Sequence, residues 1–144
     1  MKPATVSAVI HLNFRGQARE ALSFYQSVFG GQVNAITYKD FNQATDEAEA
    51  DQLMWGQVAA KTGFRVMAYD APSHTPWNPG ENAFLVAVEM KTQDEVRAYW
   101  EKLSAGATVT AELQSAQWTP LFGMLKDRYG INWTLSVAAQ QAAT

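Results

Sequence analysis

The chain has 144 residues, a hydrophobic fraction of 47% and a formal net charge of −3. Its 11 Lys and Arg residues stand singly rather than in a basic stripe, so we expect no nucleic-acid partner. It contains no cysteine, which excludes disulfides, thiolate metal sites and cysteine nucleophiles. Because no stretch approaches the roughly 18 consecutive apolar residues of a membrane span and the start has no secretory pattern, we expect a cytoplasmic protein without a membrane partner.

The first predicted elements are a strand and a helix that packs against it. Residues 6–14 form an apolar run bounded by Gly16, which is typical of a strand buried on at least one face. Because side chains alternate along a strand, its two faces carry Ile10, Leu12 and Phe14, and Val9, His11 and Asn13. The helix that follows has its apolar residues at helical spacing and ends at a glycine pair: Ala21, Phe24, Tyr25, Val28 and Phe29, then Gly30 and Gly31.

Three strands complete the first half of the chain, at residues 33–41, 53–60 and 64–69. Residues 42–49 are polar and acidic and predict an exposed loop. We expect its carboxylates to be solvated rather than to bind calcium, since calcium-binding loops space their carboxylates around a required glycine. Residues 71–82 contain three prolines and a glycine at Gly80. This composition predicts a linker, because proline removes the backbone donors that regular elements need.

The second half repeats the order of the first. Residues 83–90 predict a strand, and Thr92 with Glu95 forms a capping box at the start of a second helix. That helix carries an apolar stripe before Gly106, namely Val96, Tyr99, Trp100 and Leu103. Strands are predicted at residues 108–113, 122–125 and 131–137, and the small, polar tail at 138–144 is expected to fray.

The two helical stripes lie 75 residues apart, from Ala21 to Val96. A repeat this long, present twice, predicts two βαβββ modules that close on each other and make a ligand-binding cleft. We place the first module at residues 6–70 and the second at 83–137, joined by the 71–82 linker. The predicted fold class is α+β, in one domain over residues 1–144.

Two motifs carry a family resemblance. The first comprises HLNF at 11–14, AREA at 18–21 and FYQSVFGG at 24–31, and the second is residues 118–133 around FGMLKDRYG at 122–130. They resemble the PhnB-like branch of the vicinal oxygen chelate superfamily, which includes glyoxalase I, extradiol dioxygenases and the bleomycin- and fosfomycin-resistance proteins. The resemblance spans nearly the whole chain and implies two modules whose curved sheets form a cup, with His11 and Asn13 inside it.

The resemblance also raises the question of a metal. Metal-dependent members bind a divalent ion through histidine and glutamate on the first and last strands of the modules, and His11 matches the first-strand ligand. The residue 75 positions further on is Val86, and the last-strand glutamate falls near Thr134. Since one imidazole cannot hold the ion alone, we expect no metal and no cofactor. The alternative is a rebuilt site that uses His11 and Glu81.

The predicted ligand-binding residues are His11, Asn13, Met67, Trp118, Phe122 and Thr134. His11 is either an imidazole with one structural hydrogen bond, the interpretation we favour, or a proton acceptor or ligand anchor in a metal-free site. Trp118 either stacks on a planar ligand or, like Trp55 and Trp77, packs a dimer interface or covers a loop. His74, in the linker, is expected to be solvated.

The leading hypothesis is a metal-free PhnB-like protein that binds a small organic molecule in the cleft between the modules and forms a homodimer. Its catalytic residues, if it is an enzyme, are not identifiable. Two alternatives remain: a divalent-metal-dependent lyase, isomerase or dioxygenase with a rebuilt site, and a resistance protein that sequesters a drug. Methyl transfer to a quinone precursor, sometimes suggested for this branch, has no physical support here, because the chain has no glycine-rich nucleotide-binding turn between a strand and a helix.

Overall fold

The computed structural model describes residues 6–44 and 46–138. The chain divides into two compact units, Met1–Pro79 and Gly80–Thr144. Each unit holds one four-stranded sheet, and a long helix packs on one face of it. The predicted α+β class and the βαβββ order of each half are confirmed. The predicted fraying of residues 139–144 lies outside the described residues.

The first unit has its strands in the order β1-β4-β3-β2, with β1 parallel to β4 and the other pairs antiparallel. Its strands are β1 Ile10–Phe14, β2 Gln32–Thr37, β3 Leu53–Ala59 and β4 Arg65–Asp70, and its helices are α1 Ala18–Phe29, a 3₁₀ turn Lys39–Phe41 and α2 Glu47–Ala50.

The second unit repeats this topology in the order β5-β8-β7-β6, with β5 parallel to β8. Its elements are β5 Val86–Met90, α3 Gln93–Leu103, β6 Thr108–Ala116, β7 Thr119–Lys126 and β8 Asn132–Val137. Thr92 caps α3 as predicted: its hydroxyl accepts a hydrogen bond from the Glu95 N–H at 3.1 Å, which satisfies one of the free donors at the start of α3. The Glu95 carboxylate, however, contacts the Thr92 hydroxyl at 3.1 Å rather than the Thr92 N–H that a capping box requires.

A glycine at the same place in each sheet makes room for the helix. Gly56 on β3 lies under α1, where an added Cβ would come within 2.5 Å of Leu22 Cδ1, and Gly123 on β7 lies under α3, where it would come within 2.7 Å of the Trp100 ring. The residue beside each glycine on the next strand is Ala68 in the first sheet and Leu135 in the second. These contacts identify the helix-covered face of each sheet.

The helix stripes are as predicted except at two positions. Ala21, Tyr25, Val28 and Phe29 are buried on α1, and Val96, Trp100 and Leu103 are buried on α3. Phe24 and Tyr99, predicted to lie on the same faces, are only half-buried. On α1 the reason is that Leu22, which the prediction omitted, is fully buried against Gly56, so that Phe24 lies at the margin of the face.

Two predicted boundaries in the first unit are wrong for local reasons. The strand predicted at 33–41 ends at Thr37, because the Asp40 carboxylate accepts the Thr37 N–H at 2.8 Å and turns the chain into the 3₁₀ helix. The exposed loop predicted at 42–49 contains the start of α2, since Asp46 caps that helix by accepting the Glu49 N–H at 2.9 Å. Glu49 is only 7% exposed.

The other strand boundaries differ by a few residues. β1 and β5 begin later than predicted, at Ile10 and Val86, and β6 and β7 are longer, with nine and eight residues. The antiparallel pairing of β6 with β7 extends to Ala116 beside Thr119. The hairpin therefore continues through residues that the hydrophobic pattern assigned to a loop.

The carboxylate of Asp70, at the end of β4, joins three elements of the first unit. It is 2% exposed and accepts the N–H groups of Gly16 at 2.6 Å, Ala18 at 3.0 Å and Leu53 at 2.9 Å. The first two donors lie at the start of α1, where the helix dipole favours negative charge, and the third begins β3. Three N–H donors offset the desolvation of this buried carboxylate.

Asp70→Asn is therefore expected to lower the free energy of unfolding by about 3 kcal/mol, because the amide that replaces one oxygen faces backbone N–H donors and leaves them unpaired. Urea denaturation measures this change. Asp51→Asn is the matched control, since Asp51 pairs with Lys39 at the surface and its loss should leave the unfolding midpoint nearly unchanged. Equal effects of the two substitutions would contradict the role assigned to Asp70.

Tyr38 is a second buried group at this junction, and its hydroxyl donates to the Asp70 carbonyl at 2.6 Å. Burial raises the pKa of Tyr38 above its ordinary value of 10.0, and Coulombic interactions with Tyr69, Asp70 and Glu49 raise this pKa further. The folded state thus keeps the Tyr38 proton to a higher pH than the unfolded chain does. The contribution of Tyr38 to stability is complete below pH 10 and is lost as pH rises through the folded-state pKa.

We expect the free energy of unfolding to fall above about pH 10. The part of this fall that ionisation of Tyr38 causes should be absent in Tyr38→Phe. Denaturant unfolding at a series of alkaline pH values, together with tyrosinate absorbance, checks it. Tyr99→Phe is the control that removes a half-buried tyrosine of α3. If Tyr38→Phe and wild type lose stability in parallel above pH 10, Tyr38 is not responsible.

Candidate functional site

The face of the first sheet opposite α1 carries three of the predicted ligand-binding residues. His11 on β1 pairs with Met67 on β4, and Met67 pairs with Gln57 on β3, so the three side chains form a row on that face. Asn13 pairs with Tyr69 in the next row. We call His11, Asn13, Gln57, Met67 and Tyr69 the first open face, since α1 covers the other side.

The imidazole of His11 is held on two sides. Its Nδ1 atom lies 2.8 Å from Asn13 Oδ1. Its ring meets the Tyr69 ring edge-on, with centroids 5.2 Å apart and planes at 70°, the arrangement that the aromatic quadrupoles favour. The hydrogen bond is consistent with both of the roles predicted for His11, and the structure adds its partner, which the sequence pattern did not identify.

The end of β1 is fixed by the segment that follows β4. Trp77 Nε1 donates to the Asn13 carbonyl at 3.0 Å, and the Arg15 guanidinium lies 5.7 Å from the centroid of the Trp77 ring. Arg15 also donates to the carbonyls of Ala71 at 3.3 Å and Pro72 at 3.1 Å. Of the interpretations considered for Trp77, covering a loop is the one that these contacts support.

The remaining predicted ligand-binding residues belong to the second unit. Thr134 on β8 pairs with Met124 on β7 and with Ala87 on β5, and Phe122 pairs with Ser136. These side chains lie on the face of the second sheet opposite α3, the second open face. Trp118, between β6 and β7, is 63% exposed and meets Phe122 edge-on at 5.5 Å.

Strand pairing corrects the predicted counterpart of His11. The end of β1, where Phe14 accepts from the Ala71 N–H, corresponds to the end of β5, where Met90 accepts from the Ala138 N–H. The offset between the units is therefore 76 at these strands, and the counterpart of His11 is Ala87 rather than Val86. Val86 is buried on the helix-covered face instead.

The same register reveals a carboxylate that the sequence argument passed over. Glu89 is exposed on β5 and pairs with Ser136, and it corresponds to Asn13 of the first unit. Alternation along β5, with Val86 and Met90 buried, is the signal that would have placed it on the second open face.

The donor atoms around His11 do not fit a divalent cation. Its neighbours on the first open face are an amide, a thioether and a phenol, whereas such ions require several nitrogen or carboxylate ligands together. Across residues 6–44 and 46–138, no group of three or more His, Cys, Asp and Glu side chains is placed to hold a metal. Glu81, the partner in the alternative, is exposed and outside the helices and strands, and His74 is also exposed.

The chain matches a known family along most of its length. The family model described as 3-demethylubiquinone-9 3-methyltransferase matches residues 6–136. Protein YjdN of Escherichia coli (strain K12) is 22% identical over 139 residues, which cover 91% of this chain and 95% of that protein.

Solved structures show the same fold. Protein PA1353 from Pseudomonas aeruginosa is 25% identical, with a TM-score of 0.80 over 94% of this chain and 100% of that chain. A putative 3-demethylubiquinone-9 3-methyltransferase, PhnB protein, from Bacillus cereus is 23% identical, with a TM-score of 0.73 over 92% and 100%. A glyoxylase/bleomycin resistance protein/dioxygenase domain from Frankia sp. EAN1pec is 10% identical, with a TM-score of 0.64 over 94% and 99%, and shows the fold alone.

None of the helices in the described parts of the chain is long and apolar enough to cross a membrane. The predicted homodimer and cytoplasmic location stay predictions.

The family match, together with the βαβββ repeat, confirms the resemblance drawn from the two motifs. The chain therefore belongs to the PhnB-like family described as 3-demethylubiquinone-9 3-methyltransferase, and its fold is that of the glyoxylase/bleomycin resistance protein/dioxygenase domain.

Proposed function

We propose that this chain binds a small, planar organic molecule on the first open face, without a metal ion. The observation that carries the proposal is the His11 imidazole, held by Asn13 and Tyr69 beside the thioether of Met67. An oriented polar group within an apolar and aromatic surface is the usual composition of a small-molecule site. Trp55 adds aromatic surface, since it alternates with Gly56 and so shares the face of Gln57.

The second open face has a similar character and belongs to the same proposal. Trp118 and Phe122 offer aromatic surface, and Thr134, a residue that is 9% exposed, carries a hydroxyl. An exposed tryptophan beside a phenylalanine suits stacking on a planar ligand. Trp118, Phe122 and Thr134 are proposed as ligand-binding residues on this basis, with His11, Asn13 and Met67.

The test uses 2-methoxynaphthalene, a planar apolar probe, with protein treated with EDTA. Amide signals of Asn13, Met67 and Tyr69 in NMR spectra should shift on titration, whereas those of Leu12 and Ala68, on the helix-covered face, should not. Met67→Lys places a charge on the proposed surface and should weaken binding about tenfold, the equivalent of about 1.4 kcal/mol. Val109→Lys is the control, because Val109 is a partly exposed apolar residue that pairs with Leu125 on the helix-covered face of the second sheet.

Three results would contradict the proposal. The first is the absence of any shift on the first open face, and the second is equal weakening by the two lysine substitutions. The third is binding that EDTA abolishes and Mn²⁺ restores, because this dependence favours the metal-dependent alternative. In that case Glu81→Gln should prevent the restoration.

A further inference from the structure

The hydrogen bond from His11 to Asn13 decides which ring nitrogen carries the proton. A neutral imidazole has one N–H donor and one acceptor nitrogen, and an amide oxygen can only accept. Because Nδ1 lies 2.8 Å from Asn13 Oδ1, this placement of the amide oxygen assigns the proton of a neutral imidazole to Nδ1. Nε2 is then left as the acceptor.

Nε2 is available to a ligand. His11 is exposed, and none of the residues described in the structure donates a hydrogen bond to Nε2. The amide oxygen of Gln57, another acceptor on the first open face, already receives the Arg65 Nε–H at 2.8 Å. The surroundings of His11 are the Tyr69 ring and the Met67 side chain, which favour an aromatic partner over a fully hydrated one.

We infer that His11 Nε2 accepts a hydrogen bond from a hydroxyl group of a planar aromatic ligand, and that Asn13 is the positioning residue that assigns this role to Nε2. The inference rests on the proposed function and specifies its ligand class: a phenol, rather than an ether or a hydrocarbon of the same shape. Without the Asn13 oxygen, the imidazole is free to place its proton on Nε2. A phenol would then find a second donor where it needs an acceptor.

The first part of the experiment determines the tautomer of His11 in the ligand-free chain by ¹⁵N NMR near neutral pH. The chain has two histidines, so His74→Gln assigns the two imidazole spectra. We expect the Nδ1–H form of His11 in wild type and a large population of the Nε2–H form in Asn13→Ala. Asn13→Asp, which keeps an acceptor oxygen at this position, should restore the Nδ1–H form.

The second part compares the binding of 2-naphthol with that of 2-methoxynaphthalene, its methyl ether. Wild type should bind the naphthol about fivefold more tightly, the worth of one net hydrogen bond. For Asn13→Ala the affinities for the two probes should differ by no more than about twofold, and for Asn13→Asp the preference for the naphthol should return. Circular dichroism of Asn13→Ala controls for folding, and its backbone carbonyl, which accepts from Trp77, is retained.

The outcomes separate this inference from the proposed function. If both probes bind equally well to wild type, or if His11 is in the Nε2–H form there, the inference is wrong and the binding function stands. If neither probe binds, the proposed function fails, and the ligand class fails with it. The Nδ1–H form together with an Asn13-dependent preference for the hydroxyl supports both.

Discussion

The first unit depends on a buried carboxylate, that of Asp70 at the end of β4. Asp70 accepts three backbone N–H groups, from Gly16, Ala18 and Leu53. The bonds from Ala18 and Leu53 are buried, so water cannot replace the carboxylate there without opening the unit. The constraint fixes where α1 begins and where β3 begins relative to β4. Because β1 pairs in parallel with β4, it also fixes the row in which His11 lies beside Met67.

The second unit has the same frame but a different open face. Its own buried carboxylate, Asp127, accepts the N–H groups of Tyr129 at 2.8 Å and Ile131 at 3.0 Å and the indole N–H of Trp133 at 2.8 Å. It therefore stabilises the turn before β8 and anchors Trp133, a fully buried tryptophan. The two units have the same strand topology, but the residues on their open faces differ. Ala87 occupies the position equivalent to His11. The imidazole of the first open face thus has no repeat-related imidazole, and the metal-free proposal rests on this difference together with the donor atoms around His11.

Patterns within one element were predictable, and contacts between distant segments were not. The helix cap at Thr92 and the placement of His11 and Asn13 on the face of β1 opposite Leu12 and Phe14 followed from local periodicity and alternation. The Asp70 junction was missed because its donors at Ala18 and Leu53 lie 52 and 17 residues away. Val86 was assigned wrongly because the helices repeat at 75 residues and the first strands at 76, and one residue reverses the face of a strand. Whether those residues bind a ligand depends on chemistry that neither pattern nor register supplies.

Native-state hydrogen exchange of the Gly16, Ala18 and Leu53 amides tests the central constraint most directly. If these three N–H groups are held by Asp70, they exchange only when the first unit unfolds, and their exchange free energies equal the global value and fall with denaturant at the full slope. Exchange of all three through small local fluctuations, with no dependence on denaturant, would contradict the assignment of Asp70 as the group that holds β4, α1 and β3 together.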